Sequence, residues 1–130
     1  MDKLILELRN NTKEAEKFFA QKLAYLLGPV ELKDMLAENK VKLIDVRNKE
    51  DFEISHLPCA CSIPKHELKN RLDELSKEEI NVIYCYNEFC SLGAKAAYYL
   101  AKDNYPVMVL EGGYRAWVED FRFTVVSSDS

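Results

Sequence analysis

The sequence predicts an α/β protein: a mostly parallel sheet with helices on both faces, in three layers. Three observations carry that reading. Short apolar runs occur at 41–46, 80–84 and 107–110, the second rich in β-branched and aromatic residues. Segments of helical periodicity separate them. Gly, Pro and polar residues punctuate the boundaries, and short apolar strands alternating with helices are the pattern of a sheet covered on both sides.

The elements follow in order. Residues 12–27 read as an amphipathic helix: Thr12 is placed to cap it, Glu14 and Glu16 sit near its positive end, and Phe18, Phe19, Leu23, Leu26 and Leu27 form an apolar stripe stopped by Gly28-Pro29. A second helix is expected over 30–38 from Val30, Leu32, Met35 and Leu36, then a strand at 41–46. One or two helical turns at 50–54 and a short strand at 60–63, closed by Pro64, come next. Helical periodicity marks 65–75, a strand 80–84, and a strong helix 91–102 with Leu92, Ala96, Ala97 and Leu100 on one side. The strand 107–110 leads through Gly112-Gly113 to a helix at 114–119. An edge strand is expected at 121–126, and the last four residues are expected to fray.

The chemistry concentrates at Cys85. The run 80–84 ends abruptly in this cysteine and a helix is expected to begin near Ser91, so the thiol lies between the carboxyl end of a buried strand and the start of a helix. Ligands of such folds sit at the carboxyl ends of the strands. Backbone N–H groups and the helix dipole aimed at one sulfur stabilise its anion, so the expectation is a thiolate with its pKa lowered from about 8.5.

Composition narrows the remaining choices. The chain has 130 residues, enough for one core without cross-links, with 48% hydrophobic and 31% charged residues and a net charge of −4. Acids and bases are interleaved with no basic stripe, which argues against nucleic acid as a partner. The apolar patch within Met1–Glu7 is too short and too acidic for a signal peptide, and no run approaches the ~18 apolar residues of a membrane span. A cytoplasmic protein with reduced thiols is expected. Cys59-x-Cys61 and Cys85-x4-Cys90 lack the paired short spacings of a zinc site, so no metal is expected.

Four segments, in order, resemble the single-domain rhodanese family of sulfurtransferases. They are Leu43-Ile44-Asp45-Val46-Arg47; Phe52 to Ala60 running on to Ile63-Pro64; Val82-Ile83-Tyr84-Cys85; and Val109-Leu110-Glu111-Gly112-Gly113-Tyr114-Arg115-Ala116-Trp117. The resemblance implies a central five-stranded sheet and a domain over 30–120, with a helical extension at 1–29 and a tail at 121–130. It also implies that Cys85 is the catalytic, sulfur-accepting residue, with Tyr86, Asn87, Glu88, Phe89, Cys90 and Ser91 forming the substrate-binding loop. Two steps are implied: attack of the Cys85 thiolate on a donor's outer sulfur, giving a persulfide, then removal of that sulfur by an acceptor. No cofactor is implied. The partners are a small-molecule or protein-borne sulfur donor and a thiol acceptor, and the N-terminal helix could support a homodimer.

The loop departs from the family pattern, which commonly carries Arg where this chain has Tyr86 and Cys90, and Gly where it has Glu88. Loss of cations and gain of an acid favour a persulfide or polysulfide donor over dianionic thiosulfate, with weak thiosulfate activity. Cys90 could pair with Cys85, and a binding or redox-sensing domain using both thiols is the alternative function. A cysteine phosphatase would need Arg at the sixth position after Cys85, where this chain has Ser91. Asp45, Arg47 and His56 read as structural, Trp117 and Tyr114 as core or rim aromatics, and Cys59 and Cys61 as strand neighbours filling the core.

Overall fold

A computed structural model describes residues 1–128. Its centre is a five-stranded, wholly parallel sheet of strands β1 (Leu26–Leu27), β2 (Val41–Asp45), β4 (Cys61–Ser62), β5 (Ile80–Tyr84) and β6 (Val107–Leu110), in the order β1-β6-β5-β2-β4. A separate antiparallel pair joins β3 (Ser55–His56) to β7 (Val126–Ser127). The helices are α1 (Lys3–Asn10), α2 (Thr12–Tyr25), α3 (Pro29–Ala37), α4 (Lys49–Ile54), α5 (Leu92–Lys102) and α6 (Gly113–Arg115), the last continuing into a wider turn at Ala116–Asp120. Among the described residues, no helix is long and apolar enough to cross a membrane.

The period of two along each strand divides the core into two layers. Leu43, Val82, Tyr84, Met108 and Leu110 face one side, where they meet Leu27, Leu32, Leu57 and Trp117. Ile44, Val46, Ile63, Ile83 and Cys85 face the other, against Leu68, Leu75, Ala96 and Leu100. Cys85 therefore continues the face of β5 that packs on α5. The buried Asn81 is fully engaged: its amide donates to the carbonyls of Ser76 and Pro106 and its oxygen accepts from the Ser76 N–H.

Several boundaries differ from the expectations. The helix over 12–27 ends at Tyr25, because Leu26 and Leu27 turn extended and pair with Val109 and Leu110 as an edge strand. The sheet thus takes in two residues that the sequence reading placed in the helical extension. That extension is two helices, neither with a buried residue, and Leu4, Ile5, Phe18, Phe19 and Leu23 stay exposed. The segment 65–75 folds as two short 3-10 turns, Lys65–Asn70 and Leu72–Glu74. In the tail, residues 121–125 form no strand; Trp117 Nε1 donates to the Thr124 carbonyl at 2.8 Å and Phe123 packs edge-on to the indole, drawing the chain across the core. Pairing occurs only at Val126–Ser127, so Ser127 belongs to a strand rather than a frayed end, while residues 129 and 130 lie outside the described residues. Cys59 and Cys61 do not share a core face. Cys59 is exposed in a left-handed turn at φ 67°, and Cys61 is half-buried near Glu74.

Leu27 is 2% exposed and Leu23 78%. Leu27→Ala is therefore expected to cost about 2–5 kcal/mol in urea unfolding, and Leu23→Ala less than about 0.5 kcal/mol. Equal effects would contradict the placement of β1 in the sheet.

Candidate active site

The thiol of Cys85 lies where β5 gives way to the loop 86–91, ahead of α5. β5 is flanked by β2 and β6, so its carboxyl end sits in the middle of the sheet. Residues from the next strand connection hold the loop in place. Gly112 and Gly113 both adopt positive φ, 79° and 56°. A Cβ on Gly113 would stand 2.5 Å from the Cys85 carbonyl oxygen, so only glycine allows the close approach. Across that contact the Tyr114 N–H donates to the Cys85 carbonyl at 2.8 Å and the Arg115 N–H to the Tyr86 carbonyl at 2.9 Å. A Cβ on Gly93, in the first turn of α5, would stand 3.5 Å from the Cys85 sulfur, and the amides of Gly93 and Tyr86 act to lower the pKa of that thiol.

The loop residues have distinct placements. Tyr86 is anchored outward: its hydroxyl accepts from the Asn48 N–H at 3.2 Å and donates to Asp51. Burial and the Asp51 carboxylate raise the pKa of this phenol. Asn87 shapes the turn, with its side-chain oxygen accepting from the Phe89 N–H at 2.9 Å and its carbonyl from the Cys90 N–H at 3.2 Å. Glu88 and Phe89 point to solvent, Phe89 being 83% exposed. Ser91 is exposed and precedes α5 without a side-chain cap. Thus the carbonyls of Asn87 and Cys90 accept from the Cys85 thiol, at 4.0 and 3.5 Å, whereas the side chains of Tyr86, Glu88, Phe89 and Ser91 point elsewhere. No cation lies in the loop itself, but Arg115 of α6 comes within 4.0 Å of Glu88 while bonding Glu119 at 3.0 Å.

Cys85 and Cys90 are free thiols, and Cys90 packs against the core layer that contains Cys85. The Cys85 thiol also donates to the Cys90 carbonyl at 3.5 Å. Here the expectation of a lowered Cys85 pKa is corrected. Burial, followed by the hydrogen bond with Cys90, pushes the Cys85 thiol up to about 11 against the opposing N–H groups of Gly93 and Tyr86. Burial also opposes ionisation of Cys90. It is outweighed by the Leu92 N–H, the Cys85 thiol, the Tyr86 N–H and the charge of Lys95, so the Cys90 pKa falls. Of the two thiols, Cys90, the half-buried member, is therefore the one that ionises first.

Sequence reasoning missed the supports around the loop. Arg47, 3% exposed, bonds Asp45 through Nε and Nη2, donates to the Ser55 carbonyl at 2.7 Å, and lies 4.2 Å from the ring centre of Tyr114. Tyr84 and Tyr86 complete an aromatic cage around it. Burial works against the Arg47 charge, and the bonds to Asp45 offset it, leaving its pKa raised. Asp45 and Arg47 are thus structural, as expected. His56 accepts the same description: Nδ1 lies 2.9 Å from the Phe52 carbonyl and the ring stacks on Phe52. The Gly-Gly pair after β6 was the available signal for the grip on the loop, although its contact with Cys85 is long-range and has no local signature.

The family described as "Rhodanese-like domain" matches residues 28–120. The thiosulfate sulfurtransferase GlpE of Pseudomonas syringae is 29% identical over 89 residues, covering 68% of this chain and 83% of that protein. The HTH-type transcriptional regulator Rv0324 of Mycobacterium tuberculosis is 33% identical over 78 residues, covering 60% of this chain. The chain spans only 34% of that regulator's length, and 24% of another curated relative, a probable molybdopterin-synthase adenylyltransferase of Porphyra purpurea. The crystal structure of the BH2092 protein of Bacillus halodurans superposes with a TM-score of 0.84 at 28% identity, covering 91% of this chain and 88% of that one.

The inverted acidity of the pair has a measurable consequence. With mass-resolved alkylation by iodoacetamide, Cys90 should react at lower pH than Cys85, whose labelling should rise only as pH approaches about 11. Cys90→Ser removes both the raising hydrogen bond and the neighbouring anion, so the Cys85 profile should move to lower pH. An unchanged profile would show that Cys90 does not control Cys85.

Proposed function

The protein belongs to the rhodanese-like domain family, and on that premise we propose that it is a sulfurtransferase carrying sulfane sulfur as a persulfide on Cys85. The observation that supports this best is the place of the Cys85 sulfur at the carboxyl end of β5 against the first turn of α5, where a Cβ on Gly93 would stand 3.5 Å from Sγ and the amides of Gly93 and Tyr86 favour its anion. Such donors cost little reorganisation and stabilise an anion where it forms. A bare thiol gains little from them because burial opposes its charge. A persulfide is a stronger acid than a thiol, and its terminal sulfur extends away from the buried Sγ, so it benefits more from the same donors. The site thus favours the loaded anion over the empty one.

The chemistry balances without a cofactor. The Cys85 sulfur attacks the outer sulfur of a persulfide donor, RSS−. The donor's S–S bond breaks, the Cys85 proton passes to the departing thiolate as RSH, and Cys85–S–S− remains. An acceptor thiol then attacks the outer sulfur, the bond between that sulfur and Cys85 breaks, the acceptor's proton passes to the Cys85 sulfur, and the acceptor leaves as a persulfide anion with Cys85 back in its starting thiol form.

A persulfide or polysulfide donor fits this loop better than thiosulfate. Glu88 lies at the rim, and the nearest guanidinium, Arg115, is shared between Glu88 and Glu119. A dianion therefore meets no unpaired arginine among the described loop contacts, and thiosulfate is expected to be a weak donor.

Exposure to inorganic polysulfide, cysteine persulfide or thiosulfate, followed by intact and peptide mass spectrometry, tests this reading. Cys85 should gain the mass of one sulfur atom with the first two donors and load poorly with thiosulfate, and Cys85→Ser should abolish the gain. A folded protein that takes no sulfur from any donor would instead be a binding or sensing domain.

A further inference from the structure

The thiol of Cys90 has no part in the transfer cycle just described, yet it is placed against the reacting sulfur. The backbone carries Cys90 back over Cys85 by the turn that closes on the Asn87 carbonyl, so that the Cys85 thiol donates to the Cys90 carbonyl at 3.5 Å and the Cys90 side chain packs against the core layer that holds Cys85. Three features set Cys90 apart from a cysteine that fills space. It is half-buried rather than enclosed, and it packs against the core layer that contains Cys85. The N–H groups of Leu92, at the start of α5, and of Tyr86 point at it. Its neighbours Glu88 and Phe89 are exposed, so core packing does not hold that part of the loop fixed. Neither of the other two cysteines is bonded to Cys85: Cys59 is exposed in a surface turn, and Cys61, though half-buried, faces Glu74.

We propose that Cys90 is a resolving thiol that converts the Cys85 persulfide to sulfide, making the site a sulfane-sulfur reductase as well as a carrier. Once the outer sulfur of the persulfide has taken a proton from solvent, the Cys90 thiolate attacks the inner sulfur of Cys85–S–SH. A Cys85–Cys90 disulfide forms, the bond between Cys85 and its outer sulfur breaks, and hydrosulfide leaves with the electron pair. The sulfane sulfur is reduced by two electrons and the two cysteine thiols are oxidised by two. An external dithiol then reduces the disulfide by thiol–disulfide exchange, restoring both cysteines. The amides of Leu92 and Tyr86 favour the Cys90 thiolate, the form that attacks.

This inference rests on the carrier reading, and the test separates the two. The full chain is treated with inorganic polysulfide without oxygen, freed of excess reagent, and its free thiols are blocked before peptide mass spectrometry, while released sulfide is measured in parallel. In the wild type, a linked Cys85–Cys90 peptide should appear together with sulfide, and both should be absent in Cys85→Ser. Cys90→Ser should accumulate the Cys85 persulfide and release sulfide only when an outside thiol is added; Cys90→Ala should behave alike if the serine hydroxyl is not itself at work. A wild type that keeps its persulfide as long as Cys90→Ser, with no linked peptide, would overturn the resolving role and leave the carrier intact. Failure of the wild type and both Cys90 variants to take up sulfur would overturn both.

Discussion

Two hydrogen bonds govern the arrangement of this site: from the N–H groups of Tyr114 and Arg115 to the carbonyls of Cys85 and Tyr86. By engaging those carbonyls on the outside of the turn, they fix the peptide planes from which the loop departs, and so fix which way its N–H groups face. Gly113 is the condition for that contact. Any side chain there would collide with the Cys85 carbonyl, and its φ of 56° is left-handed. The strain of a non-glycine residue in that region is of order 1–3 kcal/mol before the collision is counted. The sheet supplies the other half of the constraint, because β5 holds Cys85 from below while α6 holds it from the side.

The buried Asp45–Arg47 pair works on the same loop from the opposite direction. Losing one partner of such a pair costs about 3–5 kcal/mol because the other charge stays buried. Here the guanidinium also ties β2 to the Ser55 carbonyl and lies against Tyr114, whose hydroxyl donates to Ser55 at 2.9 Å. Tyr86 shares that cage and is fastened to Asn48 and Asp51 at the start of α4. The first residue of the loop is therefore fastened to its neighbours, whereas Glu88 and Phe89 at the tip are exposed. A site built this way keeps the anion-facing N–H groups in place while leaving the mouth open to a donor or to a second thiol.

Much of this was legible in the chain because it depends on local pattern. The strands 41–46, 80–84 and 107–110, the helix after Ser91 and the position of Cys85 follow from short-range periodicity and from the residues that stop each element. The family resemblance followed from motifs that lie close together in sequence. Leu26–Leu27 escaped because two apolar residues at the end of an amphipathic stripe look helical until a distant edge, Val109 and Leu110, offers them hydrogen bonds. The tail was misplaced for a similar reason: Phe121–Val126 has strand propensity, but the indole N–H of Trp117 and the ring of Phe123 draw it across the core instead. The acidity of Cys85 was misjudged because a helix start was visible in the sequence while burial, which wins, was not. Likewise, spacing alone could place Cys90 five positions on, but not against the Cys85 sulfur.

The claim at the centre of this account is that main-chain donors around Cys85 serve a second sulfur rather than the bare thiol. A crystal structure of the Cys90→Ser variant treated with polysulfide addresses it most directly. The added sulfur should be bonded to Cys85 Sγ and enclosed by loop 86–91, with backbone N–H groups within hydrogen-bonding distance. An added atom facing solvent with no N–H group near it, or sulfur found only on Cys59 or Cys61, would contradict the account.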